Sequence, residues 1–273
     1  MGNKTQITAG NGPITVAPVA APGETAKIKP EFIRLGKLDD VDMAMMTHTI
    51  PGPDGASFAV GGTNNGLLAK LIRFKGTAAH AGSSPYQGVN ALNAAMIAMS
   101  AIHAQRETYR DEDTIRVHPI ITRGGSAVSS VPSDVRMETF VRGRSIEAFT
   151  AASAKVDRAL RAGAMAVGGS VTITTLPGYL PIRSEPTMVA LHRANAESLV
   201  GGRRVTGLGH RTGSTDMGDL SQIMPVIHPY TSGATGMGHG ADYVVEDYEQ
   251  AVIKPAKALA MTVIDLLANG AAG

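Results

Sequence analysis

Residues 66–182 contain segments with the hydrophobic spacing of strands and segments with that of helices, and the order of these segments leaves few possible folds. Their segments read strand, helix, strand, strand, helix and strand, at residues 67–76, 89–106, 114–125, 134–143, 145–162 and 170–179. Apolar residues alternate in the strands and recur at helical spacing in the helices. Ser145 is a good N-cap for the second helix. This order predicts a small α+β domain with a ferredoxin-like layout.

The segments on either side of this domain predict the two pieces of a second domain. The expected elements are a strand at 13–20, a helix at 29–38, a buried strand at 40–48, a helix at 187–200, a strand at 223–230 and a helix at 246–267. Strands mixed with helices in this way are typical of an α/β domain. The predicted architecture is a discontinuous α/β domain, residues 1–65 and 183–273, interrupted by the α+β insert of residues 66–182.

The composition excludes several classes of protein. There is no cysteine, so disulfide frameworks, thiolate metal sites and cysteine nucleophiles are excluded. A net charge of +2, an aromatic content of 4% and the lack of tryptophan argue against a nucleic-acid partner. The longest apolar run near the C-terminus is broken by Asp265, and the N-terminus has no signal-peptide pattern. We therefore expect no membrane span and a cytoplasmic location.

Four features of the sequence could carry chemistry. His48 ends the strand predicted at 40–48, and ligand sites of α/β domains gather at strand ends. His239 has glycine on both sides, which lets the backbone approach a ligand closely. His80 lies between the first strand and first helix of the insert, and residues 209–220, GHRTGSTDMGDL, combine hydroxyls with carboxylates. Each feature taken alone is explained as well by a structural or surface role.

Taken together, five segments resemble one enzyme family. They match, in order, the pattern of the di-zinc amidohydrolases that include aminoacylases, carboxypeptidase G and aminobenzoyl-glutamate hydrolases. The segments are ITVAPVAAPGETAKIKPEFIRLGKLDDVDMAMMTH, KGTAAHAGSSPYQGVNAL, VPSDVRMETFVRG, GSTDMGDLSQIMPVIHPY and GHGADY. The resemblance implies a truncated catalytic α/β domain interrupted by a ferredoxin-like dimerisation domain that also acts as a lid.

The resemblance also assigns roles at a metal centre. His48 and His239 match zinc ligands of the family, one for each metal, and neutral imidazole is a common zinc ligand. Glu24 matches the general base. The neighbouring family glutamate is replaced by Thr25, no histidine is followed two positions later by aspartate, and there is no cysteine to bridge two ions. We therefore expect at most one weakly bound zinc ion per chain.

Three residues of the insert match family positions that contact the substrate. His80 matches the lid histidine that reaches into the partner subunit's site and stabilises the oxyanion. Arg142 matches an arginine that binds the substrate's carboxylate, and Ser129 stands where the family usually has an asparagine. The resemblance implies a homodimer formed through the insert. The alanine-rich face of the helix at 89–106 is suited to that close contact.

The expected activity is zinc-dependent hydrolysis of the amide bond in N-acyl amino acids or aminobenzoyl-glutamate-like substrates, which are small and carry a carboxylate. The missing metal ligands leave three alternatives open. The chain could be a non-catalytic relative that keeps the dimerisation domain and a carboxylate-binding pocket. It could be one half of a split enzyme whose N-terminal half comes from a separate chain, or it could be a truncated product.

Overall fold

The computed structural model describes residues 5–8, 13–16, 28–51 and 56–268. The chain divides into two compact units, residues 1–40 and 41–273. The first unit contains the antiparallel strands β1 (Thr5–Thr8) and β2 (Pro13–Val16) and the helix α1 (Ile28–Arg34). The strand predicted at 13–20 is described as far as Val16, and α1 occupies most of the helix predicted at 29–38.

The second unit is a mixed α/β structure. Its elements in chain order are β3 (Ala44–Met45), β4 (His48–Pro51), β5 (Phe58–Val60), β6 (Thr63–Asn64), β7 (Gly66–Lys75), α2 (Ala91–Ala104), β8 (Arg116–Val117), β9 (Ile120–Arg123), β10 (Asp134–Gly143), α3 (Ile146–Ala166), β11 (Ser170–Pro177), α4 (Pro186–Val200), β12 (Val205–Gly207), β13 (His210–Arg211), α5 (Met217–Leu220), β14 (Val226–Ile227), β15 (Tyr230–Thr235), β16 (Val244–Val245) and α6 (Lys254–Ala268). In the described part of the chain, no helix has the length and apolar character needed to cross a bilayer.

The predicted insert contains an antiparallel sheet with two helices. The strand order is β11-β7-β10-β8, and β9 also pairs with β10. Ser145 caps α3 as expected, since its Oγ accepts a hydrogen bond of 3.1 Å from the Ala148 N–H. The strand predicted at 114–125 is divided into β8 and β9. Pro119 lies between them, and proline cannot donate the ladder hydrogen bond that a continuous strand needs.

The alanine-rich face of α2 packs inside the chain itself. Ala91, Ala94, Ala95 and Ala98 are buried, and a Cβ placed on Gly163 of α3 would lie only 2.4 Å from the Ala94 carbonyl oxygen. This face therefore provides the close contact between α2 and α3. The expectation that it would form the dimer contact is wrong, because its partner is a helix of the same chain.

A buried ion pair joins the sheet to α3. The Lys70 ammonium group is fully buried and lies 2.7 Å from Asp157 Oδ1. It also donates a hydrogen bond of 3.0 Å to Thr175 Oγ1 on the edge strand β11. A buried charge requires such partners, because an unpaired ammonium group would be very costly to desolvate. One side chain thus connects β7, α3 and β11.

The other described strands of the second unit form three further sheets. In the largest, the order is β12-β5-β15-β16, with β4 parallel to β15, while β13 pairs with β6 and β14 pairs with β3. Phe58, Ala196 and Ala258 contribute to the buried core against which α4 and α6 pack. This mixture of parallel and antiparallel strands with covering helices confirms the predicted α/β class outside the insert.

The boundaries of two predicted strands were wrong. The strand expected at 40–48 is reduced to the two residues of β3, so His48 begins β4 instead of ending a buried strand. The strand expected at 223–230 is limited to β14, and a separate strand, β15, begins at its last residue, Tyr230. Gly233 lies within β15 with a φ of +105°, a conformation that an L side chain would strain.

Candidate functional site

His48 lies beside a second imidazole that the sequence analysis missed. It begins β4 in parallel register with Tyr230 of β15, and its ring centroid lies 6.2 Å from that of His228. The Nδ1–H of His48 donates a hydrogen bond of 2.5 Å to the Thr49 carbonyl oxygen, which leaves Nε2 as the electron-pair donor. This tautomer is the one that a histidine ligand usually adopts. His228 could have been suspected from its spacing to Tyr230, since alternate residues of an extended segment share a face.

Three cationic or ionisable side chains lie around the ring of Tyr230. The Arg211 guanidinium lies 4.3 Å from the ring centroid, and the His228 ring lies 4.8 Å away. The His48 centroid is 5.8 Å away. A guanidinium above an aromatic face is attracted by the negative electrostatic potential of that face. Tyr230 is buried, so its contact with the Arg211 guanidinium is partly shielded from solvent.

His210 forms a hydrogen-bonded junction between the insert and the strands outside it. Its Nδ1 accepts a hydrogen bond of 2.8 Å from Thr63 Oγ1, while its Nε2–H lies 2.9 Å from Asn65 Oδ1. The Nε2 is also 3.0 Å from Thr114 Oγ1 in the insert. Burial, followed by the positive charge of Arg144, lowers the pKa of His210 below its ordinary value. The neutral ring is the form that satisfies all these partners.

Arg142 reaches the hydroxyl-rich segment that the sequence analysis singled out. It is the second-last residue of β10, and its Nη1 donates a hydrogen bond of 2.8 Å to Ser214 Oγ. Burial lowers the pKa of Arg142, although a guanidinium stays charged at any physiological pH. Burial also raises the pKa of Tyr179, and the carboxylates of Asp216 and Asp219 raise it further. These groups form a half-buried polar site at the junction with the insert.

His80 and Ser129 occupy neighbouring loops of the insert. His80 forms a bridge with Ser130, and the Ala81 N–H donates a hydrogen bond of 2.9 Å to the Ser129 carbonyl oxygen. The Nδ1 of His80 accepts hydrogen bonds of 3.1 Å from the backbone N–H groups of Gly82 and Ser83. The ring proton is therefore on Nε2, and the exposed imidazole can donate from that atom.

His80 and Arg142 lie at opposite ends of the same sheet. Arg142 pairs with Leu67 at the start of β7, whereas Lys75 at the end of β7 pairs with Asp134 and is followed by the loop that carries His80. Eight residues of β-strand separate the two ends, a span of about 27 Å at about 3.4 Å per residue. A small substrate cannot touch both side chains of one chain.

His239 lies in the loop after β15, in a left-handed backbone conformation with a φ of +65°. The hydroxyl of Tyr243, at the end of this loop, donates a hydrogen bond of 3.0 Å to the Thr49 carbonyl oxygen of β4. The loop is thus tied to the strand that begins with His48, but within the described residues neither histidine belongs to a group of three possible metal ligands. Asp242 has a turn role, since its Oδ2 accepts a hydrogen bond of 3.3 Å from the Met237 N–H.

The described residues do not fit a two-metal centre. Within them, no three side chains of histidine, aspartate or glutamate converge as ligands for one ion. The predicted general base, Glu24, lies outside the described residues. His48 has the right tautomer for one ligand, but a catalytic zinc ion normally takes three protein ligands. No chemical step through a metal is therefore derived from these residues.

Comparison with known proteins supports the family predicted from the sequence. Residues 63–166 match the family model of the peptidase dimerisation domain. The Xaa-Arg dipeptidase of Mus musculus is 29% identical over 265 residues, which are 93% of this chain and 60% of that protein. A solved dinuclear metal binding peptidase of the M20 family from Bacillus subtilis superposes with a TM-score of 0.61 at 16% identity, covering 86% of this chain and 61% of that one. These matches support the amidohydrolase (M20) family predicted from the sequence.

Other M20-type relatives agree with the resemblance to amidohydrolases. One subunit of the p-aminobenzoyl-glutamate hydrolase of Escherichia coli is 29% identical over 171 residues, covering 62% of this chain and 39% of that protein. The expected family and the mixed α/β fold with an inserted dimerisation domain are thereby confirmed. The chain spans about 60% of the length of the dipeptidase that it matches.

Proposed function

We propose that this M20 chain binds small amides that carry a carboxylate, such as N-acyl amino acids or aminobenzoyl-glutamate-like compounds, and takes part in their hydrolysis in the cytoplasm. The observation that carries the proposal is the half-buried guanidinium of Arg142 beside the Ser214 hydroxyl, 2.8 Å away. Two relatives, a dipeptidase and an aminobenzoyl-glutamate hydrolase, are also named for substrates that are amides carrying a carboxylate.

Arg142 is the proposed carboxylate-binding residue. A guanidinium presents its donors as a planar fork that matches the two oxygens of a carboxylate. The Ser214 hydroxyl occupies Nη1 and thereby fixes the direction of the side chain. Partial burial strengthens the attraction to an anion, because less water competes for the charge.

His80 is the proposed donor to the oxyanion that forms when the amide carbonyl is attacked. Its Nδ1 is held by two backbone N–H groups, so the outward Nε2–H is a ready donor. A preoriented donor stabilises developing negative charge without reorganising at the moment of reaction. Ser129 on the adjacent loop is proposed to contact the same substrate.

The proposed site combines residues of two protomers. His80 and Arg142 of one chain lie at opposite ends of the sheet, so joint action on one small substrate requires a second copy. The match to a dimerisation domain supports homo-oligomerisation. We propose that β9, an exposed edge strand, and the outer face of α2 with Met96 form the contact, because an unpaired apolar edge favours pairing with another chain.

The remaining assignments complete the proposal. We propose that residues 1–65 and 183–273 form the metallopeptidase-like domain and that residues 66–182 form the dimerisation domain. His48 and His239 are the proposed zinc ligands and Glu24 is the proposed general base. With this incomplete donor set, the chain binds at most one zinc ion weakly, and its own hydrolysis is far slower than that of longer relatives.

A second candidate function is binding without catalysis. It is favoured by the lack of a three-ligand cluster among the described residues. In this case the chain keeps the dimerisation domain and the carboxylate-binding site, or it works with a separate chain that supplies the remaining metal ligands. Both candidates require Arg142 for binding, and they differ in whether the purified chain hydrolyses the amide.

Calorimetry with aminobenzoyl-glutamate tests the proposal. Arg142→Gln should weaken binding about tenfold or more, because a charge-assisted hydrogen-bond pair is worth roughly 1.5–3 kcal/mol. Arg203→Gln removes the same charge from an exposed turn and serves as the control. Equal weakening in both variants would contradict the proposed site. Metal analysis after dialysis, combined with a hydrolysis assay, separates the two candidates. Two zinc ions per chain with fast, chelator-sensitive hydrolysis would contradict both the weak-metal proposal and the binding-only function.

A further inference from the structure

The insert contains a cavity that includes none of the proposed substrate or metal residues. Its volume is about 390 Å³, and it lies where the C-terminal end of α2 meets the segment that leads into β8. The lining residues are Ile102, Arg106, Tyr109, Arg110, Asp111, Thr114, Ile115, Arg116 and Val117. A concave site of this volume with several polar groups is of the size that binds small molecules.

The cavity has an excess of positive charge. Arg106 and Arg110 line it, and neither lies within ion-pairing distance of a carboxylate in the described part of the chain. Elsewhere in the insert, Arg73 and Arg123 both pair with Asp134. Asp111 is the one carboxylate among the lining residues, so the lining itself carries more positive than negative side chains.

The two arginines differ in how firmly they are held. Arg106 is fixed, because its Nε donates a hydrogen bond of 3.1 Å to His103 Nδ1 and its Nη2 lies 3.5 Å from the Val117 carbonyl oxygen. The Arg110 side chain is exposed and has no hydrogen-bond partner among the described residues, while its backbone carbonyl oxygen accepts a hydrogen bond of 3.2 Å from the Asp113 N–H. One positioned guanidinium and one with all its donors available therefore face the same cavity.

The hydroxyl group of Tyr109 has no hydrogen-bond partner within the described part of the fold. Its hydroxyl oxygen is buried and lacks a hydrogen-bond partner among the described residues. The Lys155 ammonium group lies 5.0 Å from the centroid of the Tyr109 ring and is held by hydrogen bonds of 2.8 Å to the carbonyl and hydroxyl oxygens of Thr108. A buried hydroxyl without a partner is costly, and because this oxygen is closed to solvent, a ligand reaches it only after the ring rotates toward the cavity.

We propose that this cavity binds a small oxyanion carrying at least two negative charges, of the diphosphate or tricarboxylate type. The guanidinium groups of Arg106 and Arg110 hold the anionic oxygens, and the Tyr109 hydroxyl donates a third hydrogen bond. Planar guanidinium groups bind phosphate and carboxylate oxygens in the same bidentate way, so diphosphates and tricarboxylates are recognised by the same contacts. The site is independent of the proposed amide hydrolysis.

Calorimetric titration of the full chain with inorganic pyrophosphate and, separately, with citrate tests this proposal. We expect saturable binding of at least one anion that weakens as the ionic strength rises. Arg110→Gln should weaken it about tenfold, and since this side chain is exposed and makes no bond, the variant should fold normally. The anion that binds more tightly identifies whether the site prefers a diphosphate or a tricarboxylate. Absence of saturable binding of both anions at millimolar concentration would overturn the proposal.

Three further variants locate the binding. Tyr109→Phe should weaken anion binding while leaving the thermal unfolding of the unliganded protein unchanged or slightly improved, because it removes an unpaired buried hydroxyl. Arg203→Gln, which alters an exposed position outside the cavity, should bind the anion as the unaltered chain does. If Arg203→Gln weakens binding as much as Arg110→Gln, the attraction is a general charge effect, and the proposal fails. It fails also if only Arg142→Gln abolishes binding, since the anion then occupies the carboxylate site.

Discussion

The Nε2 of His210 lies 3.0 Å from the hydroxyl oxygen of Thr114, and this contact joins the insert to strands outside it. Thr114 has a left-handed backbone with a φ of 47°, a conformation that is unfavourable for a β-branched residue. The Thr114 carbonyl oxygen accepts a hydrogen bond of 2.9 Å from Asn65 Nδ2, so both polar groups of this residue are used. The junction therefore holds the insert at a defined position by side-chain hydrogen bonds.

Replacement of His210 should loosen this junction. We expect His210→Ala to destabilise the protein by about 1–3 kcal/mol, because Thr63, Asn65 and Thr114 lose a shared partner. Since the folded pKa of His210 is lowered, its stabilising effect is present above the unfolded pKa of about 6.5 and is lost as the pH falls through the folded value. Urea unfolding at several pH values measures both effects. Unchanged stability in His210→Ala would contradict a structural role for the junction.

His192 should make the free energy of unfolding depend on acidic pH a second time, and more strongly than His210 does. This buried imidazole packs against Phe58, and burial lowers its pKa from 6.5 to about 4. The neutral ring is favoured in the fold, so its contribution is complete above pH 6.5 and falls by about 3 kcal/mol as the pH decreases to 4. Urea unfolding between pH 4 and pH 8, compared with His192→Asn, measures this slope. An equally steep loss of stability in the variant would assign the acid sensitivity to other groups.

The edge strand β9 is the predicted dimer contact. Ile120, which is 51% exposed in the single chain, lies on this edge, and Ile120→Lys should convert the dimer into monomers because a buried unpaired ammonium group opposes association. Met165→Lys changes an exposed residue of α3 that is 79% accessible and should leave the dimer intact. Sedimentation equilibrium at micromolar concentration distinguishes the two variants. A monomeric unaltered chain would contradict the proposed homodimer.

Mixing two inactive variants should restore part of any hydrolytic activity. If His80 of one protomer acts with Arg142 of its partner, a dimer of His80→Ala and Arg142→Gln chains contains one intact site. Random exchange makes half of the dimers mixed, so about one quarter of the unaltered activity is expected. Steady-state hydrolysis of aminobenzoyl-glutamate before and after subunit exchange measures this. Activity that stays at the level of the separate variants would mean that both residues act within one chain.

Local sequence patterns predicted the elements whose stability depends on near neighbours in the chain. The strand predicted at 134–143 is β10 over the same residues, and α3 begins directly after its predicted cap, Ser145. Their signals are period-two alternation and an N-cap hydroxyl, which act over a few residues. The order of strands and helices in the insert follows from the same local information. This order, together with the resemblance of five segments, was enough to predict the family that the comparisons support.

The tertiary structure alone decided which distant residues meet. His228 lies beside His48 because β15 pairs in parallel with β4 in a particular register, and strand register between segments so far apart in the chain is not set by local propensity. The contact of His210 with Thr114 depends in the same way on how the insert is held. The alanine-rich face of α2 shows most clearly what the sequence could not predict. The spacing of its alanines predicted a close helix contact, and only the tertiary structure shows that the partner is α3 of the same chain. A face of small residues allows close approach by many different surfaces, so the sequence of the face does not specify its partner.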